Sequence, residues 1–190
     1  MGNLVTDVQN LNVAVLTSLL YSIDDESVVN SSEGIQADAS VLQIIKNASA
    51  EECAAATKCG IPLISINNKS LNLLRMRSQG LSIGHWGADA SESVFDVNFA
   101  ALMLAYVLIK TDLTVVAKLW FDLDDESINI IQTLSMSNAH KYAKESSTLV
   151  ELRNRNNPMF WRRVMMDANF ANRDSHTING VVAFMSLGEP

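Results

Sequence analysis

Apolar side chains at Phe95, Phe99, Leu102, Tyr106 and Ile109 recur every three or four positions, the spacing of one face of a helix. The same texture over Leu11–Ile23 predicts a matching helix near the start of the chain. Val28–Gly34 and Leu113–Phe121 read as a second, short helical stretch in each half. A third helix is expected over Asp38–Ala48 and Asp124–Leu134. Asp38 and Asp124 are placed to cap it before Leu42, Ile45 and Ile128, Ile131. A fourth starts at Ser49 and Ser135, and Ser49-Ala50-Glu51-Glu52 has the form of a capping box. Two β-prone segments follow, Ile61–Ile66 and Thr148–Leu152. Terminal helices are expected at Leu71–Arg77 and Pro158–Asp167, with Asn157 and Pro158 suited to the cap and first turn.

The order of elements therefore repeats, and so do the residues. Segments 7–78 and 93–164 align without a gap at a constant offset of 86. Asn12/Asn98, Ala14/Ala100, Leu16/Leu102, Asp38/Asp124, Ile44/Ile130, Ile45/Ile131, Lys58/Lys144, Leu63/Leu149 and Asn68/Asn154 are among the identical pairs. Twelve pairs match within 57 residues, where ordinary composition gives roughly three by chance. A unit of about 70 residues buries too little surface to be comfortably stable alone, so the two copies should pack as a homodimer fused into one chain. The expected class is mainly α, with repeat 1 over 1–78, a glycine-bearing linker over 79–93, repeat 2 over 94–167 and a tail over 168–190. Within the tail, Val181–Leu187 reads as one apolar strand or helix.

Composition narrows this further. Apolar residues are 48% of the 190, enough for a core and too many for a disordered chain. The longest uninterrupted apolar run, Ala100–Ile109, is half the length of a membrane span and reads as a buried helix. The first residues lack the character of a secretory signal, and Cys53 and Cys59 make neither a disulfide framework nor a common zinc pattern. The expectation is a cytoplasmic protein without a cofactor. A net charge of −7 argues against a chain that wraps nucleic acid by itself.

That charge is uneven. Leu152–Met166 carries Arg153, Arg155, Arg162 and Arg163 with no acid, while acids gather at Asp24–Glu26 and Asp122–Glu126, where helix starts are expected. Arg153 and Arg155 alternate along a β-prone segment, so both are expected on the same face. The terminal helix of the first copy adds Arg75 and Arg77. The planar fork of arginine suits phosphate oxygens and guanine edges, which makes these six the candidate DNA contacts. The plainer alternative is a solvated basic face, or one paired with the chain's own acids. Trp120, Phe121, Phe160 and Trp161 read as packing residues rather than base stackers, and Cys53 as a small core residue with Cys59 near its helix end. His85, His140 and His176 have no metal spacing. Gly84-His85-Trp86-Gly87 is too short to cradle a phosphate. No nucleophile, base and orienting group occur together, so no enzyme is expected.

In the second copy, Val97-Asn98-Phe99, Leu102–Ile109, Leu119-Trp120-Phe121, Asp125-Glu126, Leu134-Ser135-Met136, Lys141-Tyr142-Ala143 and Leu149-Val150 follow one another in a familiar order. The first copy follows more loosely through Leu11-Asn12-Val13, Ala56-Thr57-Lys58 and Leu63-Ile64. About 140 residues of this pattern resemble the FlhD-like family, the D subunit of the bacterial flagellar master regulator and its relatives on conjugative elements. The resemblance implies a helical dimer that joins a zinc-binding FlhC-like subunit, binds promoter DNA with it and recruits RNA polymerase. It also implies an intersubunit cysteine at the positions of Ser65 and Glu151, where this chain cannot form the disulfide. The arginine of the family's Phe-Arg-Leu-Gly turn is absent from both copies. Two functions stand: a transcriptional activator subunit working with such a partner, or a helical interaction module that sequesters or scaffolds a regulator without touching DNA.

Overall fold

The computed structural model describes residues 4–24, 35, 37–81 and 89–166. They form helices α1 (Leu4–Asp24), α2 (Ala39–Lys46), α3 (Ala50–Thr57) and α4 (Asn68–Ser78), then α5 (Glu92–Lys110), α6 (Thr114–Phe121), α7 (Asp125–Gln132), α8 (Met136–Lys144) and α9 (Pro158–Met166). Strands β1 (Ile64–Ile66) and β2 (Val150–Leu152) complete the set, and the protein is mainly helical. The expected stretch at Val28–Gly34 lies outside the described residues, as do Gly84–Gly87 and Val181–Leu187.

Helix boundaries follow their caps. Ser49 forms the capping box: its hydroxyl accepts from the Glu52 amide at 3.2 Å, and its own amide donates to Glu52 Oε2 at 2.6 Å. Asp124 accepts from the Ser127 amide at 2.7 Å and Ser135 from the Asn138 amide at 3.1 Å. Asn157 accepts from the Phe160 amide at 3.1 Å, with Pro158 in the first turn. Asp38 stands at the N-cap of α2, but its side chain makes no capping bond. Several boundaries differ from expectation, the largest being the start of α1 at Leu4 rather than Leu11. α1 extends to Asp24, so that member of the first acid cluster ends a helix rather than starting one. α5 begins at Glu92, inside the expected linker. α4 begins at Asn68 because Asn67 caps it, accepting from the Ser70 amide at 3.1 Å.

α5 is long and apolar enough to cross a membrane by composition; here it is the central core helix, packed against α1, α6, α7, α8 and β2. Val97, Ala101, Leu102, Ala105 and Leu108 are buried on it. A single apolar cluster runs from Val8 on α1 to Met165 on α9, so the two halves of the chain share one core. The halves also exchange contacts: α4 lies on α7, and α9 on α2 and α3. Between them β1 and β2 pair antiparallel, with Ile64 opposite Leu152, Ser65 opposite Glu151 and Ile66 opposite Val150.

Two buried asparagines anchor the halves. Asn12 Nδ2 donates to the carbonyls of Cys59 and Ile61 at 3.3 and 3.0 Å, and its Oδ1 accepts from the Leu63 amide at 2.9 Å. Asn98 Nδ2 donates to the carbonyls of Ala143 and Ser146 at 3.0 and 2.8 Å, while its Oδ1 has no partner. Asn12 holds the turn after α3 against α1, and Asn98 the turn after α8 against α5.

Candidate nucleic-acid and partner interface

The structure distributes the six candidate arginines unequally. The strand ends at Leu152, and Asn154 takes a left-handed conformation with φ 51°. That turn breaks the alternation that would have set Arg153 and Arg155 on one face, and the expectation is corrected. Arg153 is half-buried and folds back into the protein. Its Nε donates to the Pro62 carbonyl at 3.2 Å, and its Nη2 donates to the carbonyls of Leu119, at 3.3 Å, and Trp120. Burial lowers its pKa from the ordinary arginine value, against the opposing pull of Asp122. This guanidinium satisfies the last carbonyls of α6, a helix end where a cation is favoured. It is bound to the protein and not free to meet DNA.

The others sit at the surface with varied partners. Arg155 Nη1 pairs with Glu151 Oε2 at 2.8 Å. Arg75 lies 3.6 Å from Glu126, and Arg77 lies 3.9 Å from Glu145, which Lys141 also approaches at 3.9 Å. These exposed pairs are worth little stability, yet they reduce the local positive field. Arg162 and Arg163 are exposed on α9. Arg162 makes no hydrogen bond or ion pair among the described residues, and it overhangs a groove of about 570 Å³ between α2, α3 and α9. Gln43 and Asn47 form one wall of that groove and Met165 and Met166 another.

The aromatic residues pack, as expected of them. Trp161 is fully buried, and its Nε1 donates to the Arg153 carbonyl at 3.0 Å; Phe160 stands edge-on to its ring. Phe121 is fully buried and Trp120 nearly so. The cysteine roles are exchanged relative to expectation: Cys59 is the buried one, because it closes under α1, and Cys53 is half-buried on α3. Burial, and then Glu52, raises the Cys53 pKa. His140 stands edge-on to Phe95 and Phe99, with ring centroids 5.0 and 6.3 Å away. His85 and His176 lie outside the described residues. Among the described residues no group of His, Cys, Asp and Glu is arranged to hold a metal.

Sequence reasoning missed Asn68. It reaches across to the α6–α7 turn, donating to the Asp122 carbonyl at 2.8 Å and accepting from the Asp124 amide at 3.2 Å. Its identity with Asn154 in the repeat was the available signal. No protein-family model, no curated protein and no solved structure matches this chain.

Proposed function

We propose that this chain is a fused, two-fold scaffold of the FlhD type, the subunit of a two-part transcriptional activator that relies on an FlhC-like partner for its grip on promoter DNA. The observation that carries this reading is the strand pair. Ser65 lies opposite Glu151, and these residues are 86 apart, the offset of the sequence repeat. An antiparallel pair centred on equivalent residues is what a two-fold axis between two copies requires. The same two positions carry the intersubunit cysteine that the FlhD resemblance implies. Supporting pairs follow the same offset: α2 with α7, β1 with β2, and Asn12 with Asn98. The exchanged contacts also correspond, α4 on α7 in one direction and α9 on α2 in the other.

In this reading any DNA contact by the chain itself is made by Arg162 and Arg163, which are exposed on α9. The protein is cytoplasmic in this reading, and RNA polymerase is the further partner of the complex. The test is co-expression with the product of an adjacent reading frame bearing four metal-spaced cysteines, followed by titration of a promoter fragment. The complex should hold the fragment at physiological salt and the chain alone should not. In the complex, Arg163→Ala should flatten the slope of log affinity against log salt by about 0.9. A second reading is favoured by the internal pairing of Arg75, Arg77, Arg153 and Arg155: a module that sequesters its partner. A complex that forms and binds no promoter selects that reading.

A further inference from the structure

We propose that the outward side of α5 docks the same helix of a second copy of this chain, the two running antiparallel about a two-fold axis. The inference does not depend on the strand pair above. It comes from how charge and apolar bulk are laid along one side of one helix.

Glu92, Asp96, Phe99, Met103, Tyr106 and Lys110 follow one another at steps of four, three, four, three and four. That spacing keeps side chains in one line along a helix and is the seam of a coiled coil. The line faces outward: Glu92, Asp96 and Lys110 are exposed, and Phe99, Met103 and Tyr106 are half-buried. Val94, Val97, Leu102, Leu104, Leu108 and Ile109, on the other sides of the helix, are buried in the protein's own core. Phe95, half-buried, and Val107, exposed, flank the line and widen its apolar surface. Large apolar side chains thus fill the middle of the seam, with two acids at one end and a base at the other.

The three charges find no opposite charge within the chain. Among the described residues Glu92, Asp96 and Lys110 make no ion pair, and Lys110 Nζ stands 5.5 Å from the centre of the Tyr106 ring. The order of the seam is its own complement when reversed. Positions 92 and 110, 96 and 106, and 99 and 103 are each equidistant from 101. A second α5 laid antiparallel about that point sets Glu92 against Lys110, Asp96 against Tyr106 with the ammonium over its ring, and Phe99 against Met103. Each pairing occurs twice. The last is a contact that methionine sulfur and an aromatic ring favour. A two-fold interface must be complementary to itself, and this surface is. The equivalent positions 86 residues earlier, on α1, are Thr6, Asn10, Val13, Thr17, Leu20 and Asp24. They carry no base, so α1 offers no such complement.

The test is sedimentation equilibrium of the full chain. The mass should rise from the 20.8 kDa of one chain at low micromolar concentration to twice that value at high micromolar concentration. Lys110→Glu sets acid against acid twice in the dimer and should raise the dissociation constant at least about tenfold, as should Glu92→Lys. The double variant Glu92→Lys, Lys110→Glu exchanges the two charges and should return it to within about threefold of the original. Lys46→Glu, the same change in net charge at an exposed position on α2, should leave it unchanged. All these sites are exposed, so the variants should fold. A chain that stays monomeric throughout overturns the proposal, whether the stripe is bare or covered by another segment of the chain. So does a dimer that Lys110→Glu weakens no more than Lys46→Glu, and so does a double variant that fails to restore it. This association is non-covalent, whereas the pairing of Ser65 with Glu151 lies within one chain, so the two readings fail separately.

Discussion

Arg153 illustrates how one dihedral angle decides what an arginine is for. Read as a continuing strand, Arg153 and Arg155 point together; the left-handed Asn154 turns Arg153 inward onto three carbonyls. The run Arg153-Asn154-Arg155-Asn156-Asn157 held the clue, because asparagine tolerates that conformation better than most residues. The three acceptors were invisible in the sequence, since all of them lie more than 30 residues away. Arg153→Ala should destabilise the protein by about 2 kcal/mol in urea unfolding, and Arg153→Lys should recover little of that loss, lacking the planar fork. A variant with unchanged stability would return Arg153 to the surface-contact class. Cys53 makes a second residue-scale case. Its raised pKa keeps the thiolate scarce at neutral pH, so alkylation at pH 7 should be slower in the folded chain than in the unfolded one. Equal rates would contradict its burial.

Among the elements, legibility followed the caps. Ser49, Ser135, Asp124 and Asn157 each satisfy a free amide at the start of a helix, and those starts were readable from the side chain alone. The start of α4 was missed because Asn67 lies among Asn67, Asn68 and Ser70, any of which has a capping side chain. The start of α5 was missed because the apolar period does not begin until Val94, two residues into the helix. The short strands were placed by composition, but their partner was not, since pairing is a long-range contact without a local signal. The asparagines give an element-scale prediction. Asn12 uses both ends of its amide on the α3–β1 turn, whereas Asn98 leaves its carbonyl oxygen unpartnered in the interior. Asn12→Ala should therefore cost more stability than Asn98→Ala, by about 1 kcal/mol. Equal losses by thermal and chemical unfolding would sink the distinction.

As a whole molecule, the chain gathers helices from both its halves around one shared core and pairs β1 with β2 between them. In the second half Tyr142 meets Ser78, and Glu126 and Glu145 face Arg75 and Arg77, while a groove between α2, α3 and α9 is lined in part by Arg162. The sequence repeat led to the expectation that the halves pair, but not to these contacts, because they become comparable only once the helices are set side by side. The central claim is that one chain closes its own two-fold axis at Ser65 and Glu151. The most direct measurement is oxidation of the Ser65→Cys, Glu151→Cys double variant, with the linkage mapped by mass spectrometry and the mass read in solution. The account predicts a bond between residues 65 and 151 of the same chain, at the monomer mass of about 20.8 kDa. A bond that forms only between chains, giving a covalent dimer, or two thiols that stay reduced under oxidation, would contradict it.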